Sequence, residues 1–270
     1  LSLLPAQGSA LDREKTQLAM FRGHTILFTA LLASLVLHQA DKPTYTDTNY
    51  MNTSVIDGPY VMYKNDSVFV NYIENSGGVK MVRTDSMPST SGGNATLIVN
   101  TGEAGKTFSV SLKPKLSNEK AEYNGVKKML VISDIEGNFT ALRKLLRANG
   151  VIDENFNWTF NKDHVVFTGD FVDRGPMVTE VLWLIYSLEE KAKAAGGYVH
   201  YILGNHEIMN MNGDVRYVHA RYPEHAALMN KPYTQLFGAD TEIGRWLSTK
   251  NVAERVGNIL FVHGGISSYV

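Results

Sequence analysis

The stretch Gly169-Asp170-Phe171-Val172-Asp173-Arg174-Gly175 constrains this chain more than any other. It follows the apolar run 164–168 and precedes a long helical pattern. A strand that ends in Gly-Asp and then turns sharply puts a carboxylate at the carboxyl end of a sheet, where open α/β folds place ligands. Companions lie about one strand–helix–strand unit, roughly 35 residues, to either side. Upstream is Ser133-Asp134-Ile135-Glu136-Gly137-Asn138, and downstream is Gly204-Asn205-His206-Glu207. Phe261-Val262-His263-Gly264-Gly265 closes the set. Each is a short apolar run ending in a metal-type ligand, so the four read as one metal site built from four strand ends.

From residue 125 the pattern alternates strand and helix. Strands are expected over 128–133, 164–170 and 198–203, and helices over 138–149, 179–195 and 241–248. Leu142, Leu145 and Leu146 line one face of the first helix, and Gly150 is its stop signal. Val181, Leu184, Ile185 and Leu188 face inward on the second. Residues 252–263 read as a β-hairpin around Gly257-Asn258. Alternation of this kind indicates an α/β layer with a largely parallel sheet.

Residues 41–113 differ. Short alternating strands separated by Lys64-Asn65-Asp66, Ser76-Gly77-Gly78 and a Ser/Gly-rich loop predict a small all-β domain, with residues 114–126 as a polar linker. Ahead of it, Met20-Phe21-Arg22 leads into the mostly apolar run 26–37 and then His38-Gln39-Ala40. A basic start, an apolar core and a small closing residue form a secretory-signal pattern over residues 20–40. The run is shorter than the ~20 apolar residues of a membrane span. The expectation is therefore an exported protein, periplasmic or secreted, whose mature chain starts near Asp41 and keeps no membrane anchor. The competing reading is an N-terminal helix packed on the domain; no polar face interrupts the run as such a helix requires. The absence of cysteine excludes disulfides, thiolate metal sites and a cysteine nucleophile. With a net charge of −1, nothing in the bulk composition suggests nucleic acid or an anionic membrane as a partner.

Asp134, Asp170, Asn205 and His263 supply carboxylate, amide oxygen and imidazole, a set that suits manganese, iron, zinc or magnesium rather than a soft ion. An Asp on the middle strand could bridge two ions, and paired ions clamp the oxygens of an in-line displacement. Arg174 can grip two phosphate oxygens. His206 is a candidate proton donor to a leaving oxygen, with Asp173 to hold its imidazole. A single Gly-Asp or Gly-Asn is usually just a turn, and His164, His200, His219 and His225 carry no ligand pattern. Four strand-end motifs in order are a different matter.

As a group, Asp134-Ile135-Glu136-Gly137, Gly169 to Gly175, Gly204-Asn205-His206-Glu207 and His263-Gly264-Gly265 resemble the motif series of the calcineurin-like metallophosphoesterases. The Asp-Arg-Gly and Asn-His-Glu forms resemble the bacterial phosphoprotein phosphatase branch in particular, as does the run Asn210–Asp214. The resemblance spans roughly residues 127–268 of an expected catalytic domain over 127–270. It implies an α/β fold, a β-sandwich flanked by helices, preceded here by the small all-β domain. It implies two divalent metal ions, manganese first and iron, zinc or magnesium as alternatives. Asp134 and residue 136 would hold the first, Asp170 would bridge, and Asn205 and His263 would hold the second. Arg174 would bind phosphate, with His206 and Asp173 as acid and orienter; Arg216 is a weaker candidate for substrate contact. The implied reaction is phosphomonoester hydrolysis by a metal-bound hydroxide attacking phosphorus in line. The implied substrates are phosphorylated protein, on Ser/Thr or Tyr, or a small phosphomonoester.

Two features depart from the pattern. The family usually has His where this chain has Glu136, a competent hard-metal ligand that adds negative charge. It also places a further metal-binding His, and commonly an Arg, well beyond the His-Gly-Gly motif, whereas this chain ends at Val270. The sequence is therefore read as the N-terminal part of the catalytic domain. Two other functions compete: dinucleoside polyphosphate hydrolysis, and a non-catalytic exported binding protein on a phosphatase scaffold.

Overall fold

The computed structural model describes residues 55–89 and 95–268, all within one compact unit, Thr44–Val270. The expected signal segment, 20–40, lies outside the described residues. None of the described helices is long and apolar enough to cross a membrane.

Strands β1 (Val55–Lys64), β2 (Ser67–Ser76) and β3 (Val79–Pro88) form an antiparallel meander. β4 (Thr96–Asn100) and β5 (Thr107–Ser111) form a separate hairpin. After the short β6 (Glu122–Tyr123) come β7 (Met129–Ile132), helix α1 (Phe139–Ala148), β8 (His164–Phe167), helix α2 (Val178–Ala194) and β9 (Tyr198–Tyr201). β7, β8 and β9 pair in parallel in that order, in register Met129 with His164 and His164 with Tyr198. Helices α3 (Asn205–Met211), α4 (Arg221–Leu228) and α5 (Glu242–Leu247) follow, with a 3-10 turn at Tyr233–Phe237. β10 (Ala253–Val256) and β11 (Ile259–Val262) form the expected hairpin. β10 also pairs in parallel with β6 inside the expected linker. Val166, Ile202 and Val256 pack between this second sheet and the parallel one, giving the sandwich.

The α1 boundaries follow from its chemistry. The Asn138 side chain accepts from the Ala141 N–H and caps the first turn, and Gly150 takes the left-handed conformation past the end. Phe139, Leu142 and Leu146 are buried, but Leu145 lies off the stripe they form and faces solvent at 38% exposure.

The strands of 55–111 do not close a core of their own. Val61, Val68, Val99 and Phe108 belong to the same apolar cluster as Leu142, Val181 and Leu184. The reason is α2. Its side chains are buried around nearly the whole circumference, from Val178 to Leu188, not along one stripe. One side packs on β9 and the others on β1, β4 and β5. The Trp183 indole N–H donates to the Pro59 carbonyl at 2.8 Å, and the Lys113 N–H to the Tyr186 hydroxyl at 2.8 Å. At the far end Glu189 accepts from Lys250 at 2.7 Å and from Trp246, and pairs with Lys113. The segment read as a separate β domain is thus the second wall around a central helix.

Candidate active site

All four strand-end motifs meet at the carboxyl end of the parallel sheet. Asp134 follows β7, Asp170 follows β8 and Asn205 opens α3 after β9. Asp134, Glu136, Asp170, Asp173 and Arg174 all adopt positive φ, between 49° and 67°. Such conformations cost side-chain-bearing residues energy, and they collect where function requires a particular side-chain direction. Here the tight turns aim successive side chains into one cleft. Glycine 169, at φ 87°, permits the closest approach: a Cβ there would lie 2.4 Å from the Gly204 nitrogen and 3.0 Å from His263 Nδ1.

One buried carboxylate holds this apex together. Glu207 is fully buried and accepts from the main-chain N–H groups of Gly204 (2.7 Å), Phe171 (2.8 Å) and Asp170 (2.9 Å), and from the Tyr201 hydroxyl (3.0 Å). It ties the end of β8 to the start of α3. Burial raises its pKa above the usual carboxylate value, while the three N–H donors pull the other way. Glu207 stands in the third motif, yet nothing in its spacing marks it as the brace.

Ligand-type atoms of Asp134, Asp170 and His263 lie within 4.8 Å of one another. His263 Nδ1 sits 2.7 Å from the Thr168 carbonyl, which can only accept, so Nδ1 carries a proton. Nε2, on the other side of the ring, points toward Asp170 Oδ2 at 3.0 Å and Asn205 Oδ1 at 3.1 Å. The Asn205 amide nitrogen faces the Met209 sulfur, consistent with its oxygen pointing inward. Two carboxylates, an amide oxygen and an imidazole nitrogen converge with electron pairs inward, and a cation fits that arrangement. Glu136 stands apart from this group. Its carboxylate is ion-paired with the Arg174 guanidinium instead.

Beside this cluster, His206 Nδ1 donates to Asp173 Oδ2 at 2.6 Å, and both residues are buried. That bond leaves Nε2 free for chemistry; it lies 3.4 Å from an Arg174 nitrogen. The His206 main-chain N–H donates to Asp170 Oδ1 at 3.0 Å, locking the acid site to the metal-type cluster. Asp173 has a further support. Asn210, fully buried, donates to Asp173 Oδ1 at 2.8 Å and accepts from the Tyr233 hydroxyl. Asn210 was legible only as part of the Asn210–Asp214 run, and Tyr233 carried no signal. Arg216 is held by Asp214 at 2.7 Å and is not turned into the cluster.

Among the described residues the other histidines have partners of their own, His219 accepting from the Arg221 N–H at 3.3 Å. His200 bridges His164 and Glu254, at 2.8 Å each, and His225 donates to Asp57 at 2.5 Å.

Comparison with known proteins gives the family. The family model described as calcineurin-like phosphoesterase matches residues 127–270. The chain belongs to that family. A cold-active protein-tyrosine phosphatase from a psychrophilic Shewanella species aligns over 79% of this chain and 62% of its own, at 39% identity and TM-score 0.68. Shewanella-like protein phosphatase 2 of Arabidopsis thaliana is 35% identical over 107 residues, 39% of this chain and 27% of the relative. Shewanella-like protein phosphatase 1 of Plasmodium berghei is 30% identical over 152 residues, 55% of this chain and 41% of the relative. The chain thus spans well under half the length of these two curated relatives.

Proposed function

We propose that this protein is a metal-dependent phosphomonoester hydrolase acting on phosphorylated protein. The observation that carries the reading is the buried His206–Asp173 pair locked, through the His206 N–H and Asp170, to the convergent Asp134, Asp170 and His263. The names of the three relatives given above, each a protein phosphatase, support the substrate class.

Asp134, Asp170, Asn205 and His263 would hold the two divalent ions, manganese by preference or iron, zinc or magnesium, with Asp170 shared between them. When bound, such ions polarise phosphoryl oxygens and lower the pKa of water. Arg174 binds two phosphoryl oxygens once the phosphate displaces Glu136 from its guanidinium. Asp173 fixes the imidazole so that Nε2–H faces the leaving oxygen. As an oxygen from water bonds to phosphorus, the ester P–O bond breaks and the proton on Nε2 passes to the departing oxygen. The products are the alcohol or phenol and inorganic phosphate, and the proton released by water restores the imidazolium. Against a non-catalytic binding protein stands the setting of this pair: unlike His200 and His225, His206 is locked to the convergent Asp170 and has its Nε2 beside Arg174.

The test is turnover of p-nitrophenyl phosphate and phosphopeptides by the full-length gene product after metal loading. His206→Asn should lower kcat by about 100- to 10,000-fold with metal content intact. Equal turnover by parent and variant would falsify the assignment.

A further inference from the structure

Tyr217 has no part in the proposed chemistry, yet it touches both groups that would meet the ester. Its ring lies 5.1 Å from the His206 ring, edge to face, and 5.6 Å from the Arg174 guanidinium. Its carbonyl accepts the Arg174 main-chain N–H at 2.9 Å. The residue is 43% exposed, although the His206–Asp173 pair beside it is buried.

The segment that carries it is built to hold it there. The Asp214 N–H donates to the Met209 carbonyl at 2.8 Å, folding the loop back over α3. Asp214 then takes Arg216 Nε at 2.9 Å and a terminal nitrogen at 2.7 Å, which places that guanidinium 5.7 Å from the Tyr217 ring. Arg216 is thereby occupied by its neighbours, and the ring is what this loop presents to the cleft. Ile208 on α3 and Val215 beside Arg216 are also exposed, so the segments around the ring offer apolar surface.

An ester oxygen protonated by His206 Nε2 carries its organic group within about one ring's width of that imidazole. The organic group must therefore leave alongside Tyr217. We infer that Tyr217 is a specificity-determining residue whose exposed ring contacts an aromatic leaving group, biasing the site toward aryl phosphomonoesters, tyrosine phosphate among them, over alkyl ones. The inference rests on the phosphatase reading above. An aromatic pair of this kind contributes about 2- to 12-fold in kcat/KM.

Phenyl phosphate and cyclohexyl phosphate have leaving groups of similar size and differ in aromaticity. Their intrinsic reactivities cancel when each variant is compared with the parent on the same ester. Tyr217→Leu in the full-length, metal-loaded protein should lower the phenyl-to-cyclohexyl ratio of kcat/KM by about 2- to 12-fold. Tyr217→Phe should keep the parent ratio. Neither change touches the main-chain bond to Arg174, and thermal melting checks that both variants fold. A parent that hydrolyses both esters, with an unchanged ratio in Tyr217→Leu, overturns this inference alone. A parent that hydrolyses neither overturns the phosphatase reading and this inference together.

Discussion

Glu180 should make this protein less stable as pH rises, and Glu180→Gln should remove the effect. The residue sits in the first turn of α2 and is only 4% exposed. Its Oε2 has no hydrogen-bond partner. Burial pushes its pKa to about 8, and the nearby Asp57 carboxylate pushes the same way, while Arg221 opposes. The charged groups around it are Asp57 on β1 and Arg221 and His225 on α4. Below pH ~4.5 the carboxyl is protonated in folded and unfolded chains alike. Between there and about pH 8 the unfolded chain gives up the proton and the folded chain keeps it, so stability falls with rising pH. Above pH 8 the loss is complete. A displacement of roughly 3.5 units at ~1.4 kcal/mol each sets a ceiling of about 5 kcal/mol, and water entry on ionisation brings the expected figure to about 2–4 kcal/mol. Glutamine mimics the protonated acid in shape and cannot ionise. Urea unfolding of both proteins from pH 5 to 9 should give similar free energies at pH 5 and a variant more stable by about 2–4 kcal/mol at pH 9. His164, whose pKa burial lowers to about 4, titrates in both proteins and drops out of the difference. Parallel curves across the range would show that Glu180 is ionised in the folded state and that the reasoning is wrong.

Four further outcomes are expected. Asp170→Asn should reduce bound metal and cut turnover by more than about 100-fold, since Asp170 Oδ2 faces His263 and its Oδ1 holds the His206 N–H; full metal stoichiometry by elemental analysis with parental rate would count against a bridging role. Arg174→Ala should weaken inhibition by inorganic phosphate about 10- to 150-fold, and Glu136→Gln, which removes the competing carboxylate, should tighten it about 1.5- to 5-fold. If Glu136→Gln instead loses metal, the carboxylate is a ligand after all. The mature exported chain should begin near Asp41, and recovery of an uncleaved chain by mass spectrometry would remove the signal reading.

The strand ends were legible because their chemistry is local. Gly-Asp, Gly-Asn and His-Gly-Gly each mark an apolar run that stops at a ligand, and the spacing alone orders β7, β8 and β9. Residues that act across the fold left no such mark. Glu207 looks like any first-turn acid of a short helix; only the folded chain brings Gly204, Phe171 and Asp170 to its two oxygens. Tyr233 supports Asp173 through Asn210 from a 3-10 turn more than 20 residues along the chain. Glu136 shows the converse. Its motif position suggests a ligand, but its left-handed turn and the Arg174 guanidinium from the turn after β8 give its carboxylate a nearer partner.

The strands of 55–111 are where local pattern misled most, and the correction changes what they are for. Alternation identified them as strands but could not say what they pack on, because a half-buried strand reads the same on any partner. In the folded chain β1 reaches the candidate site through α4. Arg221 donates to the Ile56 carbonyl of β1 and to the Pro176 carbonyl, and the Tyr222 hydroxyl also donates to Pro176 while accepting the Val178 N–H at 2.6 Å. Pro176 directly follows Asp173-Arg174-Gly175, where two residues in succession hold positive φ. A turn with that much backbone strain persists only if its surroundings over-determine it. On one side Gly175 N–H is bound to the Glu136 carbonyl at 2.9 Å, and on the other Arg221 and Tyr222 fix Pro176. Asp57, with His225 and Tyr60 bonded to its carboxylate, anchors the strand end from which Arg221 is held. The N-terminal strands therefore brace the turn that carries Asp173 and Arg174, and the site's geometry depends on residues more than 100 positions away from it in the chain.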